Sequence, residues 1–156
     1  MATTQRNLTI HDVVPSEPPV PVRAATAVWL VAVGAGVAES VLGVIGAIGD
    51  GVPVIGLVAQ VLLRTVVYGG LFVVIDRYFR RGARWSRWVL AVGLGVVGMA
   101  TLLVGPIGWL MSGADAIDVT PSFVAFAAIR SVHVIAVIGG VVLMFRPEAN
   151  RWFRSR

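Results

Sequence analysis

Ala24-Ala25-Thr26-Ala27-Val28-Trp29-Leu30-Val31-Ala32-Val33-Gly34-Ala35-Gly36-Val37-Ala38-Glu39-Ser40-Val41-Leu42-Gly43-Val44-Ile45-Gly46-Ala47 carries one ionisable side chain, Glu39, in 24 residues. A helix with one face in water would show polar residues on every turn; here small and apolar residues run all the way round. About 20 such residues, rising about 1.5 Å each, cross about 30 Å of hydrocarbon, so the stretch reads as a membrane span. Blocks of the same kind recur at 52–75, 88–111 and 123–145. The composition follows from them: 57% of residues are hydrophobic and 13% charged, against about a quarter charged in a soluble domain.

Lipid offers backbone N–H and C=O groups no partner, so each block must close its own hydrogen bonds as a helix. The two-residue alternation of a membrane β-barrel is missing. The expected fold is therefore all-α, a four-helix transmembrane bundle over 23–145. It is flanked by a flexible Pro-rich tail at 1–22 and a basic tail at 146–156. The first apolar stretch starts late and is long enough to span, so it reads as a retained helix rather than a secretory signal. No Cys is present, which excludes disulfides, thiolate metal sites, iron–sulfur clusters and a cysteine nucleophile.

The basic residues, thirteen Arg and no Lys, decide the orientation. Arg77, Arg80, Arg81, Arg84 and Arg87 fall between the second and third blocks, and Arg146, Arg151, Arg154 and Arg156 follow the fourth. The other two loops hold Asp50, Asp115 and Asp118 and no basic residue. The positive-inside rule then puts both termini and the Arg-rich loop in the cytoplasm. Arg77, Arg80, Arg81, Arg84, Arg87, Arg151 and Arg154 are expected to contact anionic lipid headgroups; nucleic acid is not an expected partner of so short a juxtamembrane segment. Trp85, Trp88, Trp109, Trp152, Tyr78 and Phe79 sit at the ends of the predicted spans, where amphipathic rings anchor in the headgroup zone.

Trp29-Leu30-Val31-Ala32-Val33-Gly34-Ala35-Gly36 and Trp88-Val89-Leu90-Ala91-Val92-Gly93-Leu94-Gly95 align without a gap. Arg64-Thr65-Val66 with Gly69-Gly70, and Arg130-Ser131-Val132 with Gly139-Gly140, echo each other more loosely. The pattern suggests a parallel 2+2 tandem repeat about an axis along the membrane normal, with convergence on Gly, Val and Ala as the alternative. The glycines should let helices approach closely, within one copy or between two. Pro106 is expected to bend the far end of the third helix.

Ionisable groups inside a span cost several kcal/mol and mark its interior, so they are the candidate site. Glu39, Gln60 and Arg130 lie roughly 10–12 Å below the outer surface at about 1.5 Å per residue, and Arg64 and His133 about one turn deeper. Gln60 with Arg64, and Arg130 with His133, share helix faces. Glu39 matches Arg130 in depth, leaving Arg64 to find Gln60, a carbonyl, water, an anion or a partner's acid; Thr65, Tyr68, Thr101 and Ser131 offer further hydrogen bonds. An arginine cannot shed its proton, so it needs an acceptor. No metal or cofactor is expected, since His133 has only His11 as a companion imidazole. No phosphate loop, zinc-protease pair or serine elbow appears.

The ending Arg146-Pro147-Glu148-Ala149-Asn150-Arg151-Trp152-Phe153-Arg154 resembles the RPxANxWFR ending of small four-helix actinobacterial membrane proteins. That likeness implies a bacterial inner-membrane location and no particular activity. Gly36-Val37-Ala38-Glu39-Ser40-Val41 is similar to the surroundings of the membrane-embedded Glu of small multidrug resistance transporters, which implies transport through Glu39. The chain departs from that family in carrying Arg64 and Arg130 within spans, in its long basic loop, and in lacking the family's proline-bearing aromatic motif. The leading expectation is a non-enzymatic accessory or scaffold subunit, associating with its own copies or with a membrane partner. The alternative is a small transporter or anion-binding protein using Glu39, Arg64 and Arg130.

Overall fold

The computed structural model describes residues 17–111 and 120–156, and among them the chain is helical with no strand. Five helices follow in order: α1 (Val20–Gly49), α2 (Val54–Phe79), α3 (Arg84–Met111), α4 (Pro121–Met144) and α5 (Pro147–Arg154). The first four are long and apolar enough to cross a bilayer, one for each predicted block, with ends displaced by at most four residues. Prolines set the starts. Pro21, Pro121 and Pro147 occupy first-turn positions, where a missing N–H is harmless and a fixed φ is already helical. Thr120 caps α4 by accepting from the Phe123 N–H at 3.2 Å.

The helices extend into the Arg-rich segment that the sequence marks as loop. Charge there forbids burial in lipid but does not oppose helix, because Arg and Trp tolerate it well. Only a tight turn separates α2 from α3, at Gly82, whose φ of +86° suits a residue without Cβ. Val74–Phe79 of α2 and Ala91–Gly98 of α3 are π-helical, each turn holding an additional residue. α3 continues as helix through Pro106.

Packing is concentrated at the Arg-rich end. Val22, Ala25, Trp29 and Ala32 of α1 meet Ala136, Val137 and Met144 of α4, Ile75 and Phe79 of α2, and Leu90 and Leu94 of α3. α1 and α4 come close at Gly140, where a Cβ would lie within 2.8 Å of the Trp29 indole. At the opposite end α1 and α2 carry exposed Ile45, Ile48, Val54, Ile55 and Leu62. Among described α2 residues only Leu57, Ile75 and Phe79 are buried.

The segment 146–156, expected as a tail, forms α5 and docks. Ala149, Trp152 and Phe153 enter the core while Glu148, Arg151 and Arg154 stay exposed. Arg84 Nε donates to the Phe153 carbonyl at 2.8 Å, and its terminal nitrogen donates to the Arg154 carbonyl. Arg87 donates to Asn150 Oδ1 and lies over the rings of Phe145 and Phe153. Phe79 and Trp152, expected as interfacial anchors, are instead buried, Phe79 against Phe153 of α5 and Trp152 beside Gly82 of the α2–α3 turn, because a docked helix supplies the apolar surface that a tail would not. Trp85 and Trp88 remain exposed. Of the predicted tail at 1–22, residues 1–16 lie outside the described residues and Val20–Val22 belong to α1; the loop bearing Asp115 and Asp118 lies outside them also.

Candidate functional site

Glu39 sits near the middle of α1, about 15 Å from its Gly49 end at about 1.5 Å per residue. It faces α4. Arg130 and His133, three residues apart on that helix, present to the same side. Arg130 Nε donates to Glu39 Oε1 at 3.2 Å. His133 Nδ1 lies 3.7 Å from the other carboxylate oxygen, beyond hydrogen-bond reach. Both His133 ring nitrogens are buried with no hydrogen-bond partner among the described residues. The Arg130 guanidinium also lies over Phe126, 4.5 Å from the ring centroid.

A cleft of about 440 Å³ opens beside this group, and all four long helices contribute to its wall. α1 supplies Glu39 and Ser40, α2 supplies Arg64 and Tyr68, and α4 supplies Arg130 and His133. The α3 side is made by Gly93, Leu94, Val97 and Gly98 of the π-helical stretch, followed by Thr101. Gly36 admits Tyr68: a Cβ on Gly36 would meet the phenol ring at 2.8 Å. The Tyr68 hydroxyl then lies 3.5 Å from Ser40 Oγ, which itself donates to the Gly36 carbonyl at 2.7 Å.

Two guanidinium groups thus face one carboxylate in a setting far less polarisable than water. Arg130 is neutralised by Glu39. Arg64 makes no hydrogen bond or ion pair among the described residues, although it is half-buried and cannot deprotonate. The imbalance, together with the two unpartnered nitrogens of His133, equips the cleft to receive a negatively charged group. No group of three His, Asp or Glu able to hold a metal occurs among the described residues.

The structure therefore brings Glu39, Arg64, Arg130 and His133 to one cavity. Gln60 is not part of it: its residue is exposed on α2, nearer the splayed end, and does not line the cleft. A spacing of four puts Gln60 on the face of Arg64, one turn further along α2 and beyond the lining of the cleft. Thr65 and Ser131 likewise face outward, each donating to the carbonyl four residues before it. Ser40, not singled out from sequence, joins the wall; its one available signal was adjacency to Glu39. Among the arginines expected at headgroups, Arg84 and Arg87 are engaged by α5, and Arg80 pairs with Asp76 at 2.6 Å. Arg77, Arg81, Arg151 and Arg154 are exposed. Compared with protein-family models, with curated proteins and with solved structures, the chain matches none.

Proposed function

We propose that this chain is a non-enzymatic multi-pass protein of a bacterial inner membrane, with both termini in the cytoplasm, whose central cleft receives an anionic group. The observation that carries the reading is Arg64, an unpaired guanidinium on a cleft where two positive charges already outnumber one carboxylate. A cation that cannot deprotonate and lies mid-span lowers its free energy by gaining an acceptor. The Arg-rich α2–α3 turn and α5 at one end support the cytoplasmic placement of that end. The exposed Arg77, Arg81, Arg151 and Arg154 lie there, suited to lipid phosphates. The likeness of the 146–154 segment to actinobacterial membrane proteins supports the bacterial location. A parallel duplication of α1–α2 into α3–α4 is consistent with the aligned Trp-Gly-Gly segments, although the matched Trp29 is buried and Trp88 is 66% exposed.

The test is thermal unfolding in a neutral detergent, with sodium phosphate added at fixed ionic strength against sodium chloride. Phosphate should raise the melting temperature of the natural chain, because a ligand bound only by the folded state stabilises it. The rise should vanish in Arg64→Gln and persist in Arg77→Gln. Equal shifts in all three would remove the cleft as the site. A second reading, an accessory subunit whose partner brings a carboxylate to Arg64, is favoured by the nearly complete exposure of α2. Stoichiometric co-purification of a membrane partner that is lost in Arg64→Gln would select it.

A further inference from the structure

We infer that the anion met by Arg64 is the head of an amphiphile whose apolar chain lies between α1 and α2. The inference rests on the anion-binding reading and names the class of ligand. Arg64 stands between two concavities. One is the central cleft; the other, of about 460 Å³, runs between α1 and α2. Ser40, Arg64 and Tyr68 line both, so they form the shared wall. Beyond them the second groove is aliphatic, with Val41, Val44, Ile45 and Val61 along its sides. Val41, Ile45 and Val61 are also exposed on the outside of the bundle, so the groove is open to the surrounding hydrocarbon.

A small hydrophilic anion gains nothing from that aliphatic wall. A hydrocarbon alone gains nothing from a guanidinium. A molecule with both parts satisfies both concavities. Its head accepts charge-assisted hydrogen bonds from Arg64, with the Tyr68 and Ser40 hydroxyls beside it. Its chain never leaves an apolar environment, so only the head has to quit the membrane surface. Each concavity falls in the range of about 300–1,000 Å³ usual for small-molecule sites. Because lipid is as apolar as the groove, the chain adds placement by dispersion contacts more than driving force. The head at Arg64 is therefore what discriminates, and a carboxylate or a phosphate would serve.

The experiment is photolabelling of the full chain in neutral detergent with tetradecyl phosphate bearing a diazirine on its chain, followed by peptide mapping. Label should be enriched at least ten-fold at 37–45 and 61–68 over the lipid-facing Ile135, Ile138 and Val142 of α4. It should fall at least ten-fold in Arg64→Gln, hold in Arg64→Lys, and fall in Val41→Trp, where the indole fills an exposed groove without entering the core. Competition by tetradecanoate or by a phosphatidylglycerol distinguishes a free acid from a membrane phospholipid as the source. Equal competition by tetradecyltrimethylammonium would overturn the inference. So would label spread evenly over all four helices; if phosphate still stabilises the protein through Arg64, the anion site survives and only the amphiphile falls. If phosphate has no effect either, both readings fall together.

Discussion

Glu39 is the carboxylate on which the interior charge depends. It is 8% exposed and holds Arg130 directly, with His133 close on its other oxygen. Removing it would leave two guanidinium groups in one cleft with no acid. Removing Arg130 would leave Glu39 with Arg64 on the same cleft wall and able to take over part of the pairing. Breaking a buried pair costs roughly 3–5 kcal/mol, whereas replacing both partners by apolar residues is often neutral. Glu39→Leu should therefore destabilise by about 3 kcal/mol or more, Arg130→Leu by clearly less, and the double variant should recover much of the loss. Melting temperatures of the three variants in detergent check this. Equal losses for the two single changes would show that Arg64 does not reach the carboxylate. The partners were legible from depth alone: α1 and α4 are antiparallel neighbours, and both groups sit about nine or ten residues from the same end. Gln60 fails by the same logic, since depth says nothing about which way a helix face turns.

Between helices, glycine decides where contact happens, and the structure sorts glycines that look alike in sequence. Gly36 and Gly140 each face an aromatic side chain, Tyr68 and Trp29, at distances a Cβ would violate. A Cβ on Gly34, Gly43 or Gly69 would meet no neighbouring group within 4 Å. Without a hydrophobic drive between helices in lipid, such close approaches carry the packing. Gly140→Ala should destabilise by about 1–3 kcal/mol, the usual range for overpacking a filled contact. Its neighbour Gly139, where a Cβ would meet Val28 at an ordinary 3.5 Å, should accept Ala with little change. Detergent unfolding of the two variants side by side is the measurement; similar losses would mean that α1 and α4 slide to absorb the methyl. In α3 the glycines serve differently. Gly93, Gly95 and Gly98 lie in a π-helical stretch, where the wider turn forms a wall of the cleft. No apolar pattern announces a π-helix, so that wall was not readable.

Over the length of the bundle, the described residues bury their large side chains mainly at one end. That end gathers Trp29, Phe79, Trp152 and Phe153 with the arginines of the α2–α3 turn, and α5 seals it. Toward the other end α1 and α2 carry outward aliphatic side chains, and the second groove runs between them. If the closed end is cytoplasmic, a reporter active only outside the cytoplasm should be silent when fused after Arg156. Inserted near Asp50, between α1 and α2, it should be active. The opposite pattern would turn the protein over.

The number of spans, their helical class and the rough depth of each buried charge follow from composition along the chain. Each depends only on local properties: apolar length against bilayer thickness, proline at helix starts, and a fixed rise per residue. The docking of α5 does not, because Trp152 in a polar, Arg-rich stretch looks like an anchor until Phe79 and Arg84 are placed against its neighbour Phe153. Nor does the isolation of Arg64. Sequence offers it Gln60 on its own face, and only the tertiary structure shows that Arg64 lines two cavities and Gln60 neither. Rotation of a helix about its axis is invisible in a uniformly apolar segment, since no polar stripe marks which side packs. Contacts between helices fix it, and with it which charges meet.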